Sequence, residues 1–407
     1  MTDNGNIIKG AFRAAVLLAV LTLVALPAPS FAVTQQEFAQ RMERSLGRKI
    51  PDRQLSNFAG QLTRRAALKL SLEALGWGFT LKSVEALAAM PEWQGADALT
   101  FLVSTMKPGA PASIYNEPEQ PLTAEDMEAL ARWLYYCRLN VSWMGSFPWH
   151  GTELILVKHG EGSAGGSPAG NGSGRNEPFY AAMLAADMKK TPTHIMKPQN
   201  AGQRKQRLAS LAAAERGAVG GVNGGYFGGS LASPVGVLRR LGRHENVVFY
   251  PNRSALGWSE AGEYEFIDGK ESGNISAIRK YDKYTEVLQA GPLLLKNGKK
   301  AVNKENIKAG VLSGRDPRTF AATDGARIFW GVVDGRDSAH STGVTMKELR
   351  TFCSRMGFKE ALNLDGGGSS SLWWRGVTFT KPSDKKERPI PYAVLLYEPE
   401  AQQPATK

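Results

Sequence analysis

Ala361-Leu362-Asn363-Leu364-Asp365-Gly366-Gly367-Gly368-Ser369-Ser370-Ser371 sets an apolar lead-in directly against a run of glycine and serine. The lead-in predicts a strand whose end delivers one amide, Asn363, and one carboxylate, Asp365. Three glycines then let the backbone turn where a Cβ would clash. Successive peptide N–H groups in such a turn form a concave nest for an anion, and Ser369 and Ser370 add hydroxyl donors suited to phosphate or sugar oxygens. On its own this is a glycine-rich loop with a capping aspartate. A second segment of related chemistry gives it functional weight.

That segment is Val222-Asn223-Gly224-Gly225-Tyr226-Phe227-Gly228-Gly229, followed by Pro234-Val235-Gly236. Two glycine-flanked asparagines thus stand about 140 residues apart in the chain. Together the two stretches resemble the phosphodiester glycosidase family, in which an N-G-G-[YF]-F turn and a P-x-G are paired with a distal N-L-D-G-G-G-S-S. Asn252-Arg253-Ser254-Ala255-Leu256-Gly257, Gln289-Ala290-Gly291-Pro292, Arg315-Asp316-Pro317-Arg318-Thr319 and Asp334-Gly335-Arg336 fit the same resemblance, which runs from about residue 177 to 398. It implies hydrolysis of a sugar-1-phosphodiester, with a phosphate-linked glycan as substrate.

The residue types suit that reaction. The anomeric carbon carries oxocarbenium character and the phosphodiester leaves as a weak base, so a cationic clamp on phosphate matters more than a strong acid. Arg318, Arg253 and Arg336 are the clamp candidates, because the guanidinium fork matches phosphate oxygens in pairs. Arg318 ranks first. Asp365 is expected to act as nucleophile or general base, with Asp334 as its carboxylate partner. Asn223 and Asn363 are expected to bind sugar hydroxyls, Thr319, Ser369 and Ser370 to line the same site, and Gly224, Gly225, Gly366, Gly367 and Gly368 to admit substrate close to the backbone. Trp373 or Trp374 offers a ring for stacking on sugar, while strand alternation sends the other to the core.

Upstream, Lys9 and Arg13 precede the apolar run from Ala14 to Pro27, and Ser30-Phe31-Ala32 offers small residues at cleavage-site spacing. This is the grammar of a secretory signal peptide over residues 1–32, giving an exported, periplasmic or cell-surface protein. No later stretch reads as a membrane span, so no transmembrane segment is expected in the mature chain. Loss of residues 1–32 lowers the formal charge of +12 by one, which leaves a basic protein. Outside the cytoplasm such a balance favours phosphate-bearing or carboxylated glycans, and without a dense Lys/Arg block no nucleic-acid partner is expected. Two cysteines, Cys137 and Cys353, exclude a disulfide-stapled fold, and Cys353 falls on an apolar helix face as a buried thiol.

Residues 33–148 read as helical. Leu62-Thr63-Arg64-Arg65 and Leu122-Thr123-Ala124-Glu125 open two amphipathic segments, the first closed by Gly76 and the second started by a capping box of Thr123 with Asp126. Both openings resemble, in part, the starts of S-layer homology repeats, which would attach the protein to a cell-wall polysaccharide; an ordinary helical accessory domain is the alternative. Residues 149–407 form the second predicted domain, with a Gly/Ser-rich loop over 160–176. Within it Thr319 to Thr323, the Asp324-Gly325 turn and Arg327 to Val333 predict a hairpin, Thr345 with Glu348 a capped helix from Met346 to Met356, and Tyr392 to Tyr397 the last strand. The fold class is α+β: a mixed β-sheet catalytic domain with flanking helices, preceded by a small helical domain.

Other chemistries lack their patterns. The five histidines show no zinc spacing, and neither a phosphate-loop nor a G-x-S-x-G signature occurs. No cofactor is required, though Asp334 and Asp365 are hard oxygen ligands of the kind Ca²⁺ or Mg²⁺ takes. Two functions remain: an exported glycosidase, or a non-catalytic envelope protein that grips a phosphorylated polysaccharide.

Overall fold

The computed structural model describes residues 33–46, 62–107, 109–140, 142–159, 177–199, 202–228, 231–248, 250–269, 279–301, 305 and 313–399. The signal-peptide reading of residues 1–32 and the loop reading of 160–176 lie outside the described residues. Within them the protein is α+β, with helices first and antiparallel sheets after.

The helical part is built from capped openings that meet. Thr63 accepts the Ala66 N–H at 3.3 Å, and Thr123 and Asp126 exchange hydrogen bonds at 3.1 Å each, satisfying amides that the first turn leaves open. Thr34 and Glu37 form a third opening of this kind that the sequence reading missed. The three are joined main chain to main chain, Val33 N–H to Leu122 C=O at 3.3 Å and Leu122 N–H to Leu62 C=O at 2.7 Å, with Val33, Leu62 and Leu122 all buried. Gly76, at φ +78°, ends the helix Arg64–Ala74 and lies so close to the neighbouring loop that a Cβ there would stand 1.7 Å from the Ala339 carbonyl oxygen. The next helix, Gly78–Ala88, sets Phe79 edge-on to Tyr180 and His340, with ring centroids 5.5 and 4.9 Å apart. Helices and sheets therefore share one core.

The largest sheet runs in the order Ser142–Trp149, Thr152–His159, Phe179–Asp187, Arg327–Val333, Arg318–Thr323, Glu360–Asn363, Leu293–Lys296, Lys299–Lys300. Its first strand corrects the helical reading of residues 142–148, which are strand and pair along their whole length with Thr152–His159. Trp143, Gly145 and Phe147 face inward and alternate with exposed residues, a period of two that Gly145 and Pro148 obscure in the sequence. A second correction concerns pairing, since every pairing among the described strands is antiparallel rather than mixed. The helix Met346–Arg355 does return the chain in the direction of Arg327–Val333, but Arg318–Thr323 inserts between the two strands and runs against both. That helix has the predicted capping box, and it packs Leu349, Phe352 and a free, buried Cys353 against Phe179 and Phe320.

Two five-stranded sheets and a two-stranded ribbon of Phe227–Gly228 with Ser233–Pro234 complete the described fold. One five-stranded sheet is Val377–Thr378, Leu372–Trp374, Ala218–Asn223, Ala393–Tyr397, Thr193–Met196; the other is Tyr264–Ile267, Ala255–Trp258, Glu286–Gln289, Leu238–Arg240, Arg243–Asn246. Trp373 and Trp374 are both buried, on opposite faces of the first of these, so neither offers a ring to sugar. The helix Leu208–Ala214 covers the Trp373 face, which a sequence pattern of alternation does not reveal. Among the described residues no helix is long and apolar enough to cross a membrane.

Candidate active site

Strand register brings the two asparagine turns together. Ala218–Asn223 and Glu360–Asn363 belong to different sheets, yet each ends on its asparagine, and Leu364 N–H continues the ladder to Thr319 C=O at 2.8 Å. Asn223 then joins the pieces with one amide. Its Nδ2 donates to the Asp365 carbonyl at 2.8 Å and to the Gly224 carbonyl at 3.1 Å, while Oδ1 accepts from Thr319 Oγ1 at 2.7 Å and from Ser371 N–H at 3.2 Å. Asn223 and Thr319 are fully buried and their polar atoms are engaged, so both are struts of the site instead of the expected sugar ligands. Gly224 is needed for contact, since a Cβ there would lie 2.3 Å from the Tyr392 ring, and Gly225 faces the Tyr392 hydroxyl in the same way.

Asn363 holds the opposite wall. Its Nδ2 lies 2.9 Å from both Tyr226 Oη and the Gly291 carbonyl, and Tyr226 Oη itself donates to that carbonyl at 2.7 Å. Asn363 Oδ1 and Ser370 Oγ are buried without a partner among the described residues, which is costly unless a ligand or water completes them. Tyr226 was within the quoted turn but was not selected as a site residue. Arg253 lies between two aromatic rings, its guanidinium carbon 5.5 Å from the Tyr226 centroid and 4.7 Å from that of Tyr250. Gln289 fixes this loop by donating to the Tyr250 and Arg253 carbonyls at 2.8 and 3.1 Å.

Asp365 follows Asn363 at the mouth of this arrangement. Burial pushes its carboxyl up to about 6, against the opposing pull of a Ser369 hydrogen bond, the Gly366 N–H at 3.0 Å and the Arg388 charge. A carboxyl in that range can exist in both protonation states near neutral pH, as acid–base or nucleophilic work requires. Burial raises the Tyr226 hydroxyl, with the Asp365 charge adding to the rise and the Arg318 and Arg253 charges opposing it.

The remaining candidates fall into place differently. Arg318 is buried, with Nε on the Val344 carbonyl at 3.1 Å and Nη2 on the Gly314 carbonyl at 2.6 Å; burial lowers its pKa. Two donors thus brace the chain, which weakens its candidacy as the main clamp. Asp334 follows the strand on the other side of Arg318–Thr323 from the one that leads to Asp365. It accepts from His340 Nε2 at 2.9 Å and from Lys381 N–H at 2.8 Å in a site where burial raises the carboxyl and lowers the imidazole. The expected pairing of Asp334 with Asp365 is therefore replaced by a buried aspartate–histidine pair that shapes the loop carrying Arg336. In the sequence the signal for this pair is His340, six residues after Asp334. Arg336, at φ +63°, is exposed and bonds Asp316 through Nε at 3.0 Å. Among the described residues no group of three or more metal-ligating side chains occurs, so Asp334 and Asp365 do not form the core of such a group.

Comparison with solved structures gives the fold. A hypothetical protein from Synechocystis superposes with a TM-score of 0.50 at 14% identity over 63% of this chain, and the match spans 64% of that protein's length. The catalytic domain of zebrafish N-acetylglucosamine-1-phosphodiester alpha-N-acetylglucosaminidase, auto-inhibited by its pro-peptide, gives a TM-score of 0.47 at 15% identity over 63% of this chain and 88% of that one. A Burkholderia pseudomallei protein, described as a candidate exported protein, gives 0.47 at 14% over 63% and 96%. No curated protein matches in sequence. Nothing in these comparisons supports the S-layer homology resemblance of the helical part. Residues 216–397, which contain both asparagine turns, Asp365 and the surrounding arginines, match the family model of the phosphodiester glycosidases.

Proposed function

We propose that this chain is an exported glycosidase that hydrolyses a sugar-1-phosphodiester bond in a glycan or envelope polymer linked through phosphate. The observation that carries this reading is Asp365: a carboxyl pushed up to about 6, at the end of a strand and on a glycine turn, where two remote asparagine turns cross. Export rests on the character of residues 1–32 alone. A wall polymer as partner of the helical part rests on its two openings alone.

In this mechanism the ionised Asp365 acts at the anomeric carbon, as nucleophile or as base toward water. The phosphodiester departs without needing full protonation, and guanidinium groups at the mouth stabilise the charge that develops on it. In this reading Asn363 Oδ1 and Ser370 Oγ, both buried and unpartnered among the described residues, take hydroxyls of the sugar. Asn223 and Thr319 hold the two walls at a fixed separation.

Turnover of a p-nitrophenyl-phosphoryl sugar tests the reading. Wild-type hydrolysis that is lost in Asp365→Asn supports it. Near-normal turnover by a folded Asp365→Asn protein excludes the assigned role, and sedimentation with cell walls in the absence of any turnover favours a binding protein.

A further inference from the structure

The segment from Lys381 to Pro389 is rich in charged residues and packs against the glycine turn that follows Asp365. It is anchored on both sides, by Lys381 N–H on Asp334 at 2.8 Å and by Glu387, whose carboxylate accepts from Ser371 Oγ at 3.0 Å and from Ala209 N–H at 3.2 Å. Between these anchors Asp384 lies against the glycine turn. A Cβ on Gly368 would stand 2.0 Å from Asp384 Oδ2 and 2.2 Å from Arg388 Nη2.

Two guanidinium groups converge on that one carboxylate. Arg388 Nε donates to Asp384 Oδ2 at 2.9 Å, and Arg336 Nη1 reaches Asp384 Oδ1 at 3.4 Å. Arg388 Nη1 also reaches Ser369 Oγ at 3.4 Å, and its charge is among those acting on Asp365. Arg336 in turn passes Gly367, with Nη2 3.1 Å from the position of a Cβ there. A carboxylate held by the Arg388 fork on one oxygen and by a single Arg336 nitrogen on the other, over a glycine turn, resembles in shape and charge the two free oxygens of a phosphodiester. The three side chains are 43%, 41% and 34% exposed for Arg336, Arg388 and Asp384, so their pairs are of the weak, exchangeable kind. Arg318, by contrast, is fixed on carbonyl groups.

We propose that Arg336 and Arg388 form the phosphate subsite, and that Asp384 occupies it in the free protein as an internal anion that substrate must displace. This rests on the assignment of a sugar phosphodiester to the Asp365 site. Asp384 then sets the threshold for binding, because a ligand gains only the difference between its own contacts and those of the carboxylate.

Isothermal titration of the full chain with inorganic phosphate at low ionic strength tests this without needing turnover. Asp384→Asn should bind phosphate about threefold to tenfold more tightly than wild type, as expected for removal of exposed ion pairs. Arg388→Gln should bind about tenfold more weakly, and Arg388→Lys should fall between, keeping the charge without the fork. An Asp384→Asn protein that binds phosphate no more tightly than wild type overturns the proposal, as does wild-type affinity in Arg388→Gln. If Arg388→Gln fails to fold, Asp384→Asn and Arg388→Lys decide. Phosphate titrations that follow the expected order in a protein with no turnover keep the subsite and reject the hydrolase; turnover with unchanged phosphate affinity in Asp384→Asn rejects the subsite alone.

Discussion

Replacing Asn223 with alanine separates a strut from a sugar ligand. In the folded protein the side chain is fully buried and makes four contacts, to Asp365 C=O, Gly224 C=O, Thr319 Oγ1 and Ser371 N–H. Alanine strips two buried donors, the Thr319 hydroxyl and the Ser371 amide, of their acceptor. Each such group costs about 1–3 kcal/mol when left unsatisfied, so the expected loss is roughly 2–6 kcal/mol. Against a typical stability of about 5–15 kcal/mol this is a large fraction, equivalent to a fall in melting temperature of roughly 10 °C. Asn223→Asp should do no better, because it turns an acceptor toward two carbonyl oxygens and adds a buried charge. Denaturant unfolding of the full chain gives the answer without any substrate. Stability within about 1 kcal/mol of wild type would refute the strut, and paired with a raised KM it would restore Asn223 to the sugar.

Four further outcomes follow from the geometry. The Asp365 carboxyl, raised to about 6 by burial, must be ionised to act as nucleophile or base, so kcat/KM should fall about tenfold per pH unit below pH 6; a flat profile from pH 5 to 7 would exclude it. Because the folded value lies above the usual 3.8, the stability this group contributes is full below about pH 4 and is lost as pH rises through 6. Asp365→Asn should therefore be inactive yet up to roughly 2–3 kcal/mol more stable than wild type at pH 8, as read by thermal melting. Gly224→Ala drives a methyl into the Tyr392 ring, 2.3 Å away, and should cost about 1–3 kcal/mol in denaturant unfolding while lowering turnover. Phe79→Ala removes edge contacts to Tyr180 and His340 and should lower one common melting transition of helices and sheets in calorimetry; a separate, unshifted sheet transition would show that the two parts are independent.

Local signals in the sequence carried well. Thr345 with Glu348, the Asp324-Gly325 hairpin and the strand before Asn363 are set by capping chemistry, turn chemistry and apolar runs, and all three are present. The convergence of Asn223 and Asp365 followed from related turns and not from any local rule. What stayed hidden depends on distant partners. Asp334 reads as a second catalytic carboxylate until His340 folds back on it, and Asn223 reads as a ligand until Thr319 and Ser371 close around it. Asp384 and Arg388 sit among lysines in a stretch with no periodicity, and only their position over Gly368 distinguishes them.

The bond from Asn223 to Asp365 also bears on how the protein acquires activity. Its two ends are 142 positions apart, one on the last residue of a strand in one sheet and the other two residues past a strand of another, so closing it requires both strands to be in place. Contacts of such long range form late, after the loop entropy between them has been overcome. A chain emerging during synthesis, or one partly opened by heat, would hold formed helices and hairpins while its carboxylate still faced water with an ordinary acidity. Chemistry would then switch on with the final closure, in one step.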